Sequence, residues 1–148
     1  MPRTATILRV NIHAVTNAQT LALIEQFIAS GQPHQITTVN PEFVVAAQQD
    51  AEFRQIINQS ALALPDGIGL LKAARFLGTT PLPERVAGSD LVVKLAELSH
   101  HKGYRLYFLG AQEGMAESAD HVFMATRSQE VGDDLSGLVH LTLDVEGQ

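Results

Sequence analysis

Hydrophobic positions along this chain fall into two spacings, one suited to strands and one to helices. Thr4 to Ile12 alternates apolar with polar residues and is rich in Ile and Val, which predicts one strand. Leu21, Leu23, Ile24 and Phe27 recur at helical spacing from Asn17 to Ser30, and Gly31 with Pro33 marks the end of that helix. His34 to Val39 reads as a second short strand. It runs into Asn40-Pro41-Glu42, where Asn suits a cap, Pro the first helical position and Glu the first turn, so a helix should begin at Pro41.

Phe43, Val44 and Ala47 form the apolar face of that helix. A further helical pattern from Ala51 to Gln59 holds Phe53, Ile56 and Ile57, with Asp50 as a cap between the two or a bend within one helix. Ala61 to Pro65 is short and apolar and is bounded by turn signals, as a buried strand would be. Asp66-Gly67-Ile68-Gly69 leads from it into a helix ending near Gly78. Thr79 to Gly88 is a loop with two prolines. Ser89 then caps a helix through Lys102, with Leu91, Val92, Leu95 and Leu98 inward, closed by Gly103.

Tyr104 to Leu109 is predicted as a strand, Gly110 as a tight turn, and Gln112 to about Ala125 as another helix. Strands alternating with helices in this way define an α/β fold, Rossmann-like, with a mostly parallel sheet flanked by helices. From about Thr126 the pattern fails, and a polar stretch precedes an isolated strand-like run from Leu138 to Val145. The expected organisation is thus a region 1–125 and a divergent tail 126–148, with the sheet incomplete at the C-terminal end.

Composition narrows the function more than it narrows the fold. With 148 residues, 45% of them hydrophobic and 18% charged, the chain suits one globular domain with a real core. No apolar run approaches the roughly 20 residues needed to span a bilayer, and no signal peptide is legible, so a cytoplasmic location is expected. The absence of cysteine removes disulfides, thiolate metal sites and a cysteine nucleophile. Net charge is −6, and the residues after Arg127 hold five acids and no Lys or Arg. Clustered cations, which phosphate backbones demand, are missing, so nucleic acid is not an expected partner.

Candidate chemistry gathers where strands end, because open α/β sheets bind ligands beyond their carboxyl ends. Thr38 with Asn40 follows one strand and Asp66 another, and both would face one crevice if these strands are neighbours. Each residue also has a plain alternative. Asp66 suits a helix cap before a glycine turn, Asn40 a cap, Thr38 a half-buried strand position, and Arg85 a solvated charge paired with Glu84. Gly67-x-Gly69 follows a strand, yet Lys72 stands at the third glycine of a dinucleotide fingerprint and no acid ends a strand about 20 residues on. The six histidines form no i, i+4 pair on a helix and read as surface residues, so no metal site is expected.

Three strings in order, TTVNPEFVVAAQQD, ALALPDGIGLLKAARFLGTTPLPERVAGSDL and GYRLYFLGA, closely resemble the WecG/TagA/CpsF glycosyltransferases. The resemblance runs from about Leu8 to Ala125 and corresponds to the first half to two-thirds of a typical member. It implies an inverting, metal-independent transferase with a Rossmann-like fold and no cofactor. The implied reaction moves N-acetylmannosamine or a related sugar from a UDP donor to N-acetylglucosamine on undecaprenyl diphosphate, for cell-surface polysaccharide. By match to the family motifs, Asp66 would be the general base, Thr38 and Asn40 would line the substrate pocket, and Arg85 would offset charge on the leaving diphosphate.

The family normally continues into a glycine-rich nucleotide-binding segment and a basic appendage that reaches the inner face of the membrane. The acidic ending here resembles neither, as a truncated or frameshifted chain would, so membrane association is expected to be lost. The same residues therefore also suit a catalytically inactive remnant of such an enzyme, one that self-associates through uncovered surfaces as a homo-oligomer.

Overall fold

The computed structural model describes residues 2–106 and 139–142. The chain divides into two compact units, Met1–Leu91 with Leu135–Gln148, and Val92–Asp134.

The first unit opens with a hairpin, β1 (Thr4–Ile7) and β2 (Val10–His13), paired antiparallel with Ile7 opposite Val10. One continuous strand was expected over these residues. Leu8 and Arg9 instead turn the chain, both at positive φ (46° and 67°), the geometry of the tightest hairpin connections. Ala5 and Ile7 before the turn and Val10 and Ile12 after it are all buried, so each strand keeps its own alternation. Neither turn position carries the Gly or Asn that signals such a turn.

Helix α1 (Asn17–Ser30) starts from a capping box: Thr16 Oγ1 accepts from the Gln19 N–H while the Gln19 side chain accepts from the Thr16 N–H. Two of the four N–H groups that a helix start leaves without partners are thereby bonded. Gly31, at φ 67°, ends the helix in the left-handed conformation that glycine adopts without steric cost. Strand β3 (His34–Val39) follows, then α2 (Pro41–Gln49), capped by Asn40, and α3 (Ala51–Gln59), capped by Asp50. Asp50 lies in extended backbone (φ −117°, ψ 104°), so α2 and α3 are two helices and not one bent helix.

Strand β4 (Leu62–Pro65) runs parallel to β3, Ile36 beside Leu62 and Val39 beside Pro65. The run read as isolated near the C-terminus contains β5 (Val139–Thr142), which pairs parallel with the other side of β3. The strand order β4-β3-β5 gives a parallel sheet inside an α/β fold. Such a sheet buries both faces, which is why Leu62 to Pro65 reads as an unbroken buried run.

The outer edge of β4 is covered by the hairpin, where His13 Nδ1 accepts from the Ala63 N–H at 2.9 Å. A side chain thus bonds an edge amide that the β-ladder leaves without a strand partner. His13 is half-buried, and His34 is half-buried with its ring stacked on Phe27 at 4.2 Å. These two are therefore packed groups, whereas His100 and His101 are exposed as expected.

Helix α4 (Ile68–Phe76) buries Leu70 and Ala74 in a core shared with Ala5, Ile7, Val10, Ile12, Val39, Val44 and Leu82. Helix α5 (Gly88–Lys102) begins at Gly88, so Ser89 sits inside its first turn and is not its cap. It starts in the first unit and continues into the second. In the second unit Ser99 Oγ donates to the Tyr104 carbonyl at 2.8 Å and Gly103 ends the helix at φ 72°. Tyr104 to Leu106 is not a strand. The remainder of that expected strand, Gly110, and the expected helix from Gln112 to about Ala125 lie outside the described residues.

Candidate functional site

Adjacent parallel strands bring the predicted residues to one level. Val39 ends β3 and Pro65 ends β4 side by side, so Asn40 and Asp66 are the first residues past the sheet on neighbouring strands. The Asp66 N–H extends the ladder by one more bond, to the Val39 carbonyl at 2.8 Å. Thr38 lies one residue below Val39, beside Leu64, and is buried to 1% exposure.

Asn40 Oδ1 accepts from the Phe43 N–H at 2.8 Å and so caps α2, as its sequence position suggests. Asp66 departs from the corresponding reading. It does not cap α4, whose cap position is Gly67 and which has no side-chain cap. Its Oδ2 instead accepts from the Gly88 N–H at 2.9 Å, at the start of α5. Its Oδ1 faces Arg85, whose Nε lies 3.5 Å away. The carboxylate therefore sits between a helix N-terminus and a guanidinium.

Gly67 and Gly69 are present for clearance. A Cβ on Gly67 would stand 2.9 Å from Pro41 Cδ, and one on Gly69 would stand 3.1 Å from Pro41 Cγ. Gly67 also holds φ 156°. The two glycines thus let the starts of α2 and α4 approach closely at the sheet's carboxyl end. A shallow groove of about 380 Å³ follows α2 away from this contact, along Pro41, Glu42, Val45, Ala46 and Gln49.

Arg85 was expected either in the site or paired with its neighbour Glu84. The structure directs the two side chains apart: Arg85 faces Asp66, while Glu84 Oε1 accepts from both the backbone N–H and Nδ2 of Asn17. Gly88 and Asn17 were missed by sequence reasoning. The Gly88 contact is a backbone group with no side-chain signature, and Asn17 is 67 residues from its partner. Among the described residues no group of three His, Asp or Glu is placed to hold a metal ion, and no helix is long and apolar enough to cross a membrane.

A partly exposed carboxylate fixed at one oxygen, with an exposed cation at the other, is suited to taking a proton while an anion forms nearby. The sequence has counterparts among known proteins. A family model described as the glycosyl transferase WecG/TagA/CpsF family matches residues 5–132, and the chain belongs to that family. It is similar to an N-acetylglucosaminyldiphosphoundecaprenol N-acetyl-beta-D-mannosaminyltransferase of Bacillus spizizenii (strain ATCC 23059 / NRRL B-14472 / W23), 34% identical over 88 residues. That match covers 59% of this chain and 34% of the relative. A protein of the same name from Staphylococcus aureus (strain NCTC 8325 / PS 47) is 30% identical over 117 residues, 78% of this chain and 46% of the relative. The chain spans between a third and a half of the length of these relatives.

Proposed function

We propose that this chain carries the acceptor-activating part of an inverting glycosyltransferase, with a UDP-linked N-acetylmannosamine or related sugar as donor and lipid-linked N-acetylglucosamine as acceptor. Family membership and the relatives' names support the reaction class and acceptor. The observation that carries the reading is the Asp66 carboxylate, fixed past the end of β4 by the Gly88 N–H and faced by Arg85.

In this reading Asp66 accepts the proton of the acceptor hydroxyl as its oxygen attacks the anomeric carbon. The new carbon–oxygen bond forms on the face opposite the diphosphate, the bond to the diphosphate oxygen breaks, and UDP leaves with the electron pair. Arg85 and the amides at the start of α4, which no side chain caps, offset the charge on the leaving group. In the same reading Thr38 and Asn40, at the end of β3, help to orient substrate. The site would work at the inner membrane face, where a lipid-linked acceptor is presented.

UDP release by the purified chain, with UDP-N-acetylmannosamine and a soluble lipid-linked N-acetylglucosamine analogue, tests the proposal. Release that depends on the acceptor is expected. Absence of acceptor-dependent release from folded protein would favour the inactive remnant.

A further inference from the structure

An exposed arginine beside a carboxylate is a weak contact by itself, because a long side chain in water loses entropy when held and its charge is screened. Arg85 is 53% exposed, and 3.5 Å is a loose pairing. Its placement must come from its backbone, and three consecutive residues are tied down there. The Glu84 side chain accepts from Asn17, the Arg85 carbonyl accepts from Asn17 Nδ2 at 3.2 Å, and the Val86 N–H donates to the Pro65 carbonyl at 2.9 Å. One asparagine at the first position of α1 therefore grips two of the three, and the end of β4 grips the third.

The charges fit this arrangement. Helix α1 has no acidic residue in its own first turn. Glu84 supplies that negative charge from the loop and accepts from the Asn17 N–H, one of the helix's unbonded amides. With its carboxylate drawn to α1, Glu84 does not compete with Asp66 for the neighbouring guanidinium. Both hydrogens of Asn17 Nδ2 have acceptors, Glu84 Oε1 at 2.9 Å and the Arg85 carbonyl. An aspartate there would lose both donors and face a like charge.

We propose that Asn17 and Glu84 are positioning residues, a clasp between α1 and the loop ahead of α5. It holds Arg85 against Asp66 until an anionic leaving group, a nucleoside diphosphate, draws the guanidinium away. The inference rests on the roles given above to Asp66 and Arg85. It couples departure of the leaving group to exposure of the base, through two residues that touch neither substrate.

The test follows the Arg85 Nε–H resonance in proton–nitrogen spectra of the whole chain, with thermal unfolding as the check on folding. In wild type the resonance should move on Asp66→Asn substitution and on adding UDP. Asn17→Asp should abolish both responses and raise the donor KM about tenfold, with kcat within about threefold, an effect of about 1.4 kcal/mol on binding. Adding Glu84→Gln to Asn17→Asp, which sets an amide donor opposite the new carboxylate, should restore much of the response. Glu84→Ala removes the acceptor for Asn17 and should lose the Arg85 responses in the same way, which keeps the test decisive if Asn17→Asp does not fold. An Arg85 signal unchanged in folded Asn17→Asp or in folded Glu84→Ala would overturn the clasp. Wild-type chain without turnover but with the expected Arg85 responses would leave the clasp standing and defeat the transferase reading.

Discussion

Asp66 and Gly88 are 22 residues apart, yet the Asp66 carboxylate accepts the first amide of the Gly88 helix at 2.9 Å. This bond ties the end of β4 to the start of α5 and spans the loop that carries Arg85. It also explains why a carboxylate stands at this strand end without capping its own helix. Asp66→Ala should lower stability by about 1 kcal/mol, as loss of a helix cap does, while Asp66→Asn, which keeps an acceptor oxygen, should lose less. Urea unfolding of the three proteins measures the difference.

Pro41 accounts for both glycines of the Asp-Gly-Ile-Gly turn. Gly67→Ala should destabilise by about 2 kcal/mol, because the new Cβ meets the proline ring and the backbone conformation disfavours a side chain. Pro41→Ala in the same chain should recover part of that loss. A double-mutant cycle by urea unfolding, with a coupling energy distinguishable from zero, is the expected result.

His13 gives the fold a pH dependence. Burial holds its pKa below the ordinary 6.5, so the folded state favours the neutral ring, whose Nδ1 accepts from Ala63. The unfolded chain binds the proton more readily, so this stability is present above about pH 6.5 and is lost as pH falls through the lower folded value. Unfolding midpoints from about pH 7 to about pH 5 should decline in wild type and flatten in His13→Asn.

Leu8 and Arg9 hold left-handed backbone without glycine or asparagine. Replacing them by Leu8→Asn and Arg9→Gly should raise stability by about 1 kcal/mol, since both new residues accept positive φ more readily. The exposed bond from Arg9 to Gln48, 3.3 Å long, is a small loss beside that gain. Thermal unfolding would show it.

Elements carrying local chemistry were legible in the sequence. The Asn40-Pro41-Glu42 start of α2, the Asp50 cap and the Gly31 stop are written in residues next to the backbone groups they serve, and the structure has them where expected. The parallel α/β class followed from alternating periods, and β3 and β4 are neighbours. The hairpin was hidden because its turn lacks the usual residues and each half keeps a period of two. At the site, the strand-end positions of Asn40 and Asp66 were readable, but the partners were not. Gly88 acts through its backbone and Asn17 through a contact 67 residues away in sequence, and neither has a local signal.

The most direct test of the central claim compares wild type, Asp66→Asn and Asp66→Glu for acceptor-dependent UDP release, each confirmed as folded by thermal unfolding. If Asp66 is the base, Asp66→Asn should fall by about 10² to 10⁴ in kcat with little change in donor binding, and Asp66→Glu should retain more activity than Asp66→Asn. Asp66→Asn turning over at the wild-type rate would contradict the account.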